Sequence, residues 1–69
     1  MTTEHLNKLK IILAEKNKTN KWLAEKLSKD QGTISKWCTN TCQPDLKSLM
    51  RIAQLLEVNL DDLVRFDEL

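Results

Sequence analysis

The stretch Asn20-Lys21-Trp22-Leu23-Ala24-Glu25-Lys26-Leu27-Ser28-Lys29-Asp30-Gln31-Gly32-Thr33-Ile34-Ser35-Lys36-Trp37 decides the fold. Leu23, Ala24 and Leu27 share one face of a helix at this spacing. Ser28-Lys29 interrupts the pattern. Asp30 then has the form of an N-cap, because its carboxylate can accept from the free N–H groups of the following turn. Ile34, Trp37 and Cys38 recur at spacings of three and four in the segment that follows. The stretch therefore reads as two short helices, residues 20–27 and 31–38, joined by a tight break.

The chain on either side continues the helical pattern. Upstream, Leu6, Leu9, Ile12 and Leu13 form an apolar stripe. They predict a first helix capped by Thr2 or Thr3 and running to about Lys16. Asn17-Lys18-Thr19 ends it, and Thr19 is placed to cap the second helix. Trp22 belongs at the edge of the buried face, either covering part of the first helix or as an exposed contact; its angle favours partial burial. Downstream, Thr39-Asn40-Thr41-Cys42-Gln43-Pro44 is a loop rich in turn residues. Pro44-Asp45 opens a fourth helix, whose buried face is expected to hold Leu46, Leu49, Met50, Ala53 and Leu56, with Ile52 a further candidate. Asn59 can cap a short fifth helix. Val58 and Leu63 around it have the spacing of a hydrophobic staple, and Asp61 and Asp62 sit where a helix dipole favours acids. Phe66 and Leu69 follow in an acidic tail.

The expected architecture is all-α, a compact bundle of five short helices forming one domain over residues 1–69. Its expected core comprises Leu9, Leu13, Leu23, Ala24, Leu27, Ile34, Trp37, Leu49, Ala53 and Leu56. Sixty-nine residues leave room for a single small core, so association with a second copy would help stability. A 41% hydrophobic and 30% charged composition fits a globular chain. No apolar run approaches the roughly 20 residues that span a bilayer. No signal-peptide pattern opens the chain, and a cytoplasmic location is expected. Cys38 and Cys42, with no third cysteine and no nearby histidine, make no zinc signature; both are expected as reduced thiols, Cys38 in the core and Cys42 in the loop. His5 is the only histidine and is expected to be solvated. No nucleophile–base pair is visible, so an enzyme is not expected, nor is a cofactor or metal.

Charge is distributed unevenly. Residues 1–40 carry eight Lys and four acids, whereas residues 41–69 carry one Lys, two Arg and six acids. The excess positive charge surrounds the two-helix stretch. Such a field can steer a face toward phosphates, although lysines also simply solvate exposed helix faces.

Two short helices with a tight turn make a helix-turn-helix unit, whose second helix can enter a DNA major groove. The residues Leu23-Ala24-Glu25-Lys26-Leu27, then Gln31, then Thr33-Ile34-Ser35-Lys36-Trp37 resemble the motif of the lambda repressor-like family, also called Cro or XRE type. The resemblance extends from about Leu6 to about Val64. This chain has Ser28 where the family usually has Gly, Cys38-Thr39-Asn40 where it often has Glu-Asn-Gly, and Trp22 where an acid or Gln is common. Gly tolerates positive φ at little cost and Ser does not.

The second helix of the unit assigns the candidate contacts. Gln31, Gly32, Ser35 and Lys36 fill the arc opposite Ile34, Trp37 and Cys38, with Thr33 at the margin. Gln pairs bidentately with adenine, Lys donates to guanine acceptors or phosphate, and Ser bonds to either. Gly32 either admits close approach of backbone to DNA or is a neutral surface residue. Asn20 lies at a helix start, where free N–H groups favour an anion, and the resemblance implies a phosphate contact at that helix end. The amides and hydroxyls of Thr39, Asn40 and Thr41 are further phosphate candidates; Asn40 also suits left-handed geometry. The expected function is a sequence-specific DNA-binding regulator of the prokaryotic or phage repressor type, with double-stranded DNA as partner. A symmetric homodimer is expected to form through the C-terminal part, where Leu60, Phe66 and Leu69 offer apolar area. The alternative is a protein-interaction module or the antitoxin-type partner of a second protein.

Overall fold

The computed structural model describes residues 5–65. Five helices follow in order: α1 (Leu9–Glu15), α2 (Asn20–Leu27), α3 (Gln31–Cys38), α4 (Leu46–Leu56) and α5 (Leu60–Leu63). One isolated antiparallel bridge, Asn7 with Val64, joins the two ends. The all-α bundle expected from periodicity is therefore present. The core is a single cluster to which every helix contributes, with Leu9, Leu23, Ile34, Ile52 and Leu63 fully enclosed.

Each of the first four helices ends in the same way. Asn17, Ser28, Asn40 and Glu57 all take positive φ, from 55° to 61°. After each, the next N–H reaches back five residues: Lys18 to the Leu13 carbonyl, Lys29 to Ala24, Thr41 to Lys36 and Val58 to Ala53, at 2.9–3.0 Å. That bond satisfies carbonyls a helix end leaves unpaired. Glycine, the residue best suited to left-handed backbone, occupies none of these positions. Ser28 thus takes the geometry that the family usually supplies with Gly.

The start of α1 differs from the sequence expectation. Thr2 and Thr3 lie outside the described residues. Leu6, Asn7 and Lys8 are not helical, and α1 begins at Leu9. The physical reason is a pairing with the far end of the chain. Lys8 N–H donates to the Leu63 carbonyl and Arg65 N–H to the Leu6 carbonyl, each at 2.8 Å. The side-chain oxygen of Asn7 then accepts from Leu9 N–H at 3.0 Å and takes over the work of an N-cap.

In α4 the apolar stripe is wider than the buried one. Ser48, Ile52, Ala53 and Leu56 are buried and Leu49 is partly so. Leu46 and Met50, which the spacing places on the buried face, are 67% and 50% exposed. At about 100° per residue the buried arc centres between Ile52 and Leu56, and those two side chains lie beyond its edge. Leu63 lies in the core and Val58 is half-buried against it, and Asn59 N–H donates to the Asp62 carboxylate at 3.1 Å. Leu60 is 38% exposed; Phe66 and Leu69 lie outside the described residues.

Candidate nucleic-acid interface

The geometry of α3 follows from its cap and its anchors. Asp30 accepts from Gly32 N–H at 3.1 Å and starts the helix. Ile34 and Trp37 are buried and hold it against the rest of the domain. Gln31, Gly32, Ser35 and Lys36 are exposed, and Thr33 is half-buried at the margin, as the angular reading expects. Gly32 also leaves room for the Asp30 cap. A Cβ at this position would lie 2.7 Å from the Asp30 carboxylate oxygen that caps the helix.

Thr19 caps α2 by accepting from Trp22 N–H at 3.0 Å. Asn20, the first helical residue, is half-buried, and its side-chain oxygen accepts from the Cys38 thiol at 3.5 Å. With its acceptor turned to α3, its Nδ2 donors are left for another group. Burial pushes the Cys38 thiol above the ordinary thiol range, opposed by nearby Lys10, so at neutral pH it stays protonated and able to donate. Cys38 is half-buried rather than fully in the core, while Cys42 is exposed as expected. Trp22 packs partly against the core, and the Lys18 ammonium sits 4.8 Å from its ring centroid, a cation–π arrangement.

The loop after α3 separates its three candidates. Thr39 and Thr41 are exposed, with their hydroxyls 2.8 Å apart. Asn40 is a correction: only 5% of it is exposed, and its side chain is committed internally. Its oxygen accepts from Asn7 N–H at 2.9 Å and from the Gln43 amide at 3.1 Å, while its nitrogen donates to the Asn7 carbonyl at 3.2 Å. Asn7 completes the knot by donating to the Trp37 carbonyl at 2.9 Å and to the Gln43 side-chain oxygen at 2.7 Å. This network ties the C-terminal end of α3 to the strand-like segment before α1. Nothing local in the sequence signals it, because Asn7 and Asn40 are distant in the chain.

Two shallow grooves flank α3. One is lined by Asn20, Ser35 and Thr39 together with Lys10 and Lys18. The other brings Lys8, Lys10 and Arg65 beside Thr39 and Asn40. They are contiguous through Lys10, Cys38 and Thr39, and no described residue lining either one is acidic. In a chain with ten acids and eleven bases that absence marks a positively charged trough. In the sequence, Lys10 and Lys18 carry no signal beyond their charge, whereas the position of Lys36 on α3 marks it as a contact.

The helices α2 and α3, joined by a tight turn, with α3 anchored on its apolar side and polar on its exposed one, form a helix-turn-helix unit. The profile of the Cro/C1-type HTH DNA-binding domain matches residues 8–68, and the chain belongs to this family. A solved structure described as "a putative DNA-binding protein from Bacteroides fragilis" is similar to it, with 48% identity and a TM-score of 0.85 over 87% of this chain and 97% of that one. No curated protein matches the chain. Among the described residues, no helix is long and apolar enough to cross a membrane.

Proposed function

We propose that this protein is a sequence-specific DNA-binding transcriptional regulator of the prokaryotic or phage repressor type, with α3 in the major groove. The observation that carries the reading is the exposed face of Gln31, Gly32, Ser35 and Lys36 beside the acid-free groove of Asn20, Lys10, Lys18 and Thr39. The face offers an amide, a hydroxyl and a cation to base edges. The groove offers donors and charge to the phosphates, which supply most of the affinity. Asn20, Thr39 and Thr41 are the phosphate contacts of this reading, and the backbone at Gly32 comes closest to DNA. Two copies act together, because one recognition helix spans only a few base pairs, and their contact runs through the C-terminal part around Leu60.

The second reading is a protein-interaction module or antitoxin-type partner, favoured by the exposed Leu46 and Met50 on α4. A mobility-shift assay on a selected duplex and a scrambled one, at about 50 and 200 mM salt, separates the two. DNA binding predicts retention of both duplexes at low salt and of the selected one alone at higher salt. No retention at either concentration would move the protein partner ahead.

A further inference from the structure

We propose that the groove between residues 5–11, the end of α3 and Arg65 is a second DNA phosphate site, extending the footprint beyond α2 and α3. The proposal rests on the DNA-binding reading and names a surface that reading does not require.

Arg65 is the unexpected member. It lies in the acidic half of the sequence, followed by Asp67 and Glu68. Its backbone N–H bonds to the Leu6 carbonyl next to the Asn7–Val64 bridge, and this pairing carries its side chain to the basic half. There it shares a groove with His5, Lys8, Lys10 and Thr39. The guanidinium Nε of Arg65 is buried and has no hydrogen-bond partner among the described residues. A buried donor without an acceptor is costly, and the described residues that line this groove include Lys8 and Lys10 and no acid. An anionic oxygen in the groove neutralises that charge, and a turn of the guanidinium toward it also relieves the unpaired N–H.

DNA is the occupant that the surroundings favour over a free anion. The groove continues through Lys10 and Thr39 into the one holding Asn20 and Ser35. A nucleic-acid backbone following the Asn20 end of α2 thus has an unbroken cationic path to Arg65. The position of that path depends on the terminal bridge, so the reach of the footprint is set by how the two chain ends pair.

Arg65→Gln and Lys8→Gln test the site, with Lys47→Gln as a control of equal charge change on exposed α4. Lys8 and Arg65 line only this groove, and the bridge uses their backbones rather than their side chains. Circular dichroism establishes that each variant is folded, and Lys8→Gln serves alone if Arg65→Gln is not. The measurement is the slope of log affinity against log salt, on selected and scrambled duplexes. Each groove variant is expected to flatten the slope by about 0.9 on both duplexes, as loss of one phosphate contact requires. Lys47→Gln should leave it unchanged. Slopes equal to the parent's for the folded groove variants, while Lys36→Ala still weakens binding, overturn this site and leave the DNA reading standing. A parent that binds no duplex overturns both. Inorganic phosphate competing at millimolar concentration, with no change in slope for either variant, would assign the groove to a free anion and also overturn the proposal.

Discussion

At the scale of single residues, the four left-handed helix ends show how the same backbone geometry carries different costs. Ser28 and Glu57 are exposed, and their side chains contribute no hydrogen bond that the geometry needs. A non-glycine residue in this region costs roughly 1–2 kcal/mol, part of which Gly gives back as chain entropy in the unfolded state. Ser28→Gly is expected to stabilise the domain by about 0.5–1 kcal/mol in urea denaturation. Asn40→Gly is expected to do the opposite, losing about 1–3 kcal/mol, because it leaves the buried Asn7 N–H and carbonyl unpaired. Equal responses at the two sites would mean that the Asn7–Asn40 network contributes nothing. Asp45 behaves differently again. The Ser48 hydroxyl donates to its carboxylate at 2.6 Å and holds its pKa below the ordinary aspartate value. A lowered folded pKa gives a contribution that is present above the unfolded pKa of about 3.9 and is lost as pH falls through the folded value. Ser48→Ala should move the Asp45 titration, followed by carbon-detected NMR, up toward the ordinary range.

At the scale of elements, α3 combines a rigid mount with a free face. Ile34 and Trp37 fix its roll, Asp30 its start, and the Asn7 amide its last turn. A helix held at both ends can present side chains to base edges without paying further backbone ordering entropy on binding. Gln31→Ala is expected to cost roughly 1–3 kcal/mol on the preferred duplex and to relax the preference at one position. Binding to scrambled DNA should barely change, since an amide carries no charge. Asn20→Ala should weaken both duplexes alike, because a phosphate contact carries no sequence information. Lys36→Ala should lower affinity and flatten the salt slope by about one if Lys36 meets a phosphate. Filter binding of the three folded variants on both duplexes checks the set. Parent-like binding by Gln31→Ala on every duplex would remove α3 from base readout.

At the scale of the whole molecule, the described residues span 31 × 24 × 22 Å. Half-sites one helical turn apart place recognition helices about 34–36 Å from each other, farther than one copy extends. A symmetric pair reading two such half-sites is the proposed form on DNA. Leu60→Asp, at an exposed apolar position, should lower the molecular mass observed by light scattering on the duplex from two copies to one. Selected sites from the parent should show two-fold symmetry. A single-copy complex with an asymmetric site would mean that one domain reads its operator alone.

Local pattern was enough for most of the fold. Helical periodicity located α2 and α3 to the residue, since capping and side-chain spacing act within one or two turns. Nine of the ten core residues named from spacing are buried, and Leu49 is partly so. The exposed face of α3 followed from the same angles. What needed tertiary structure was set by residues far apart in the chain. The start of α1 depends on backbone pairing of residues 6–8 with residues 63–65. The burial of Asn40 depends on Asn7, and the exposure of Leu46 and Met50 depends on how far α4 is covered by its neighbours. The cationic trough depends on bringing Arg65 to Lys8 and Lys10. Periodicity reports which side of an element is apolar; only packing decides which part of that side is covered, and which distant groups share one surface.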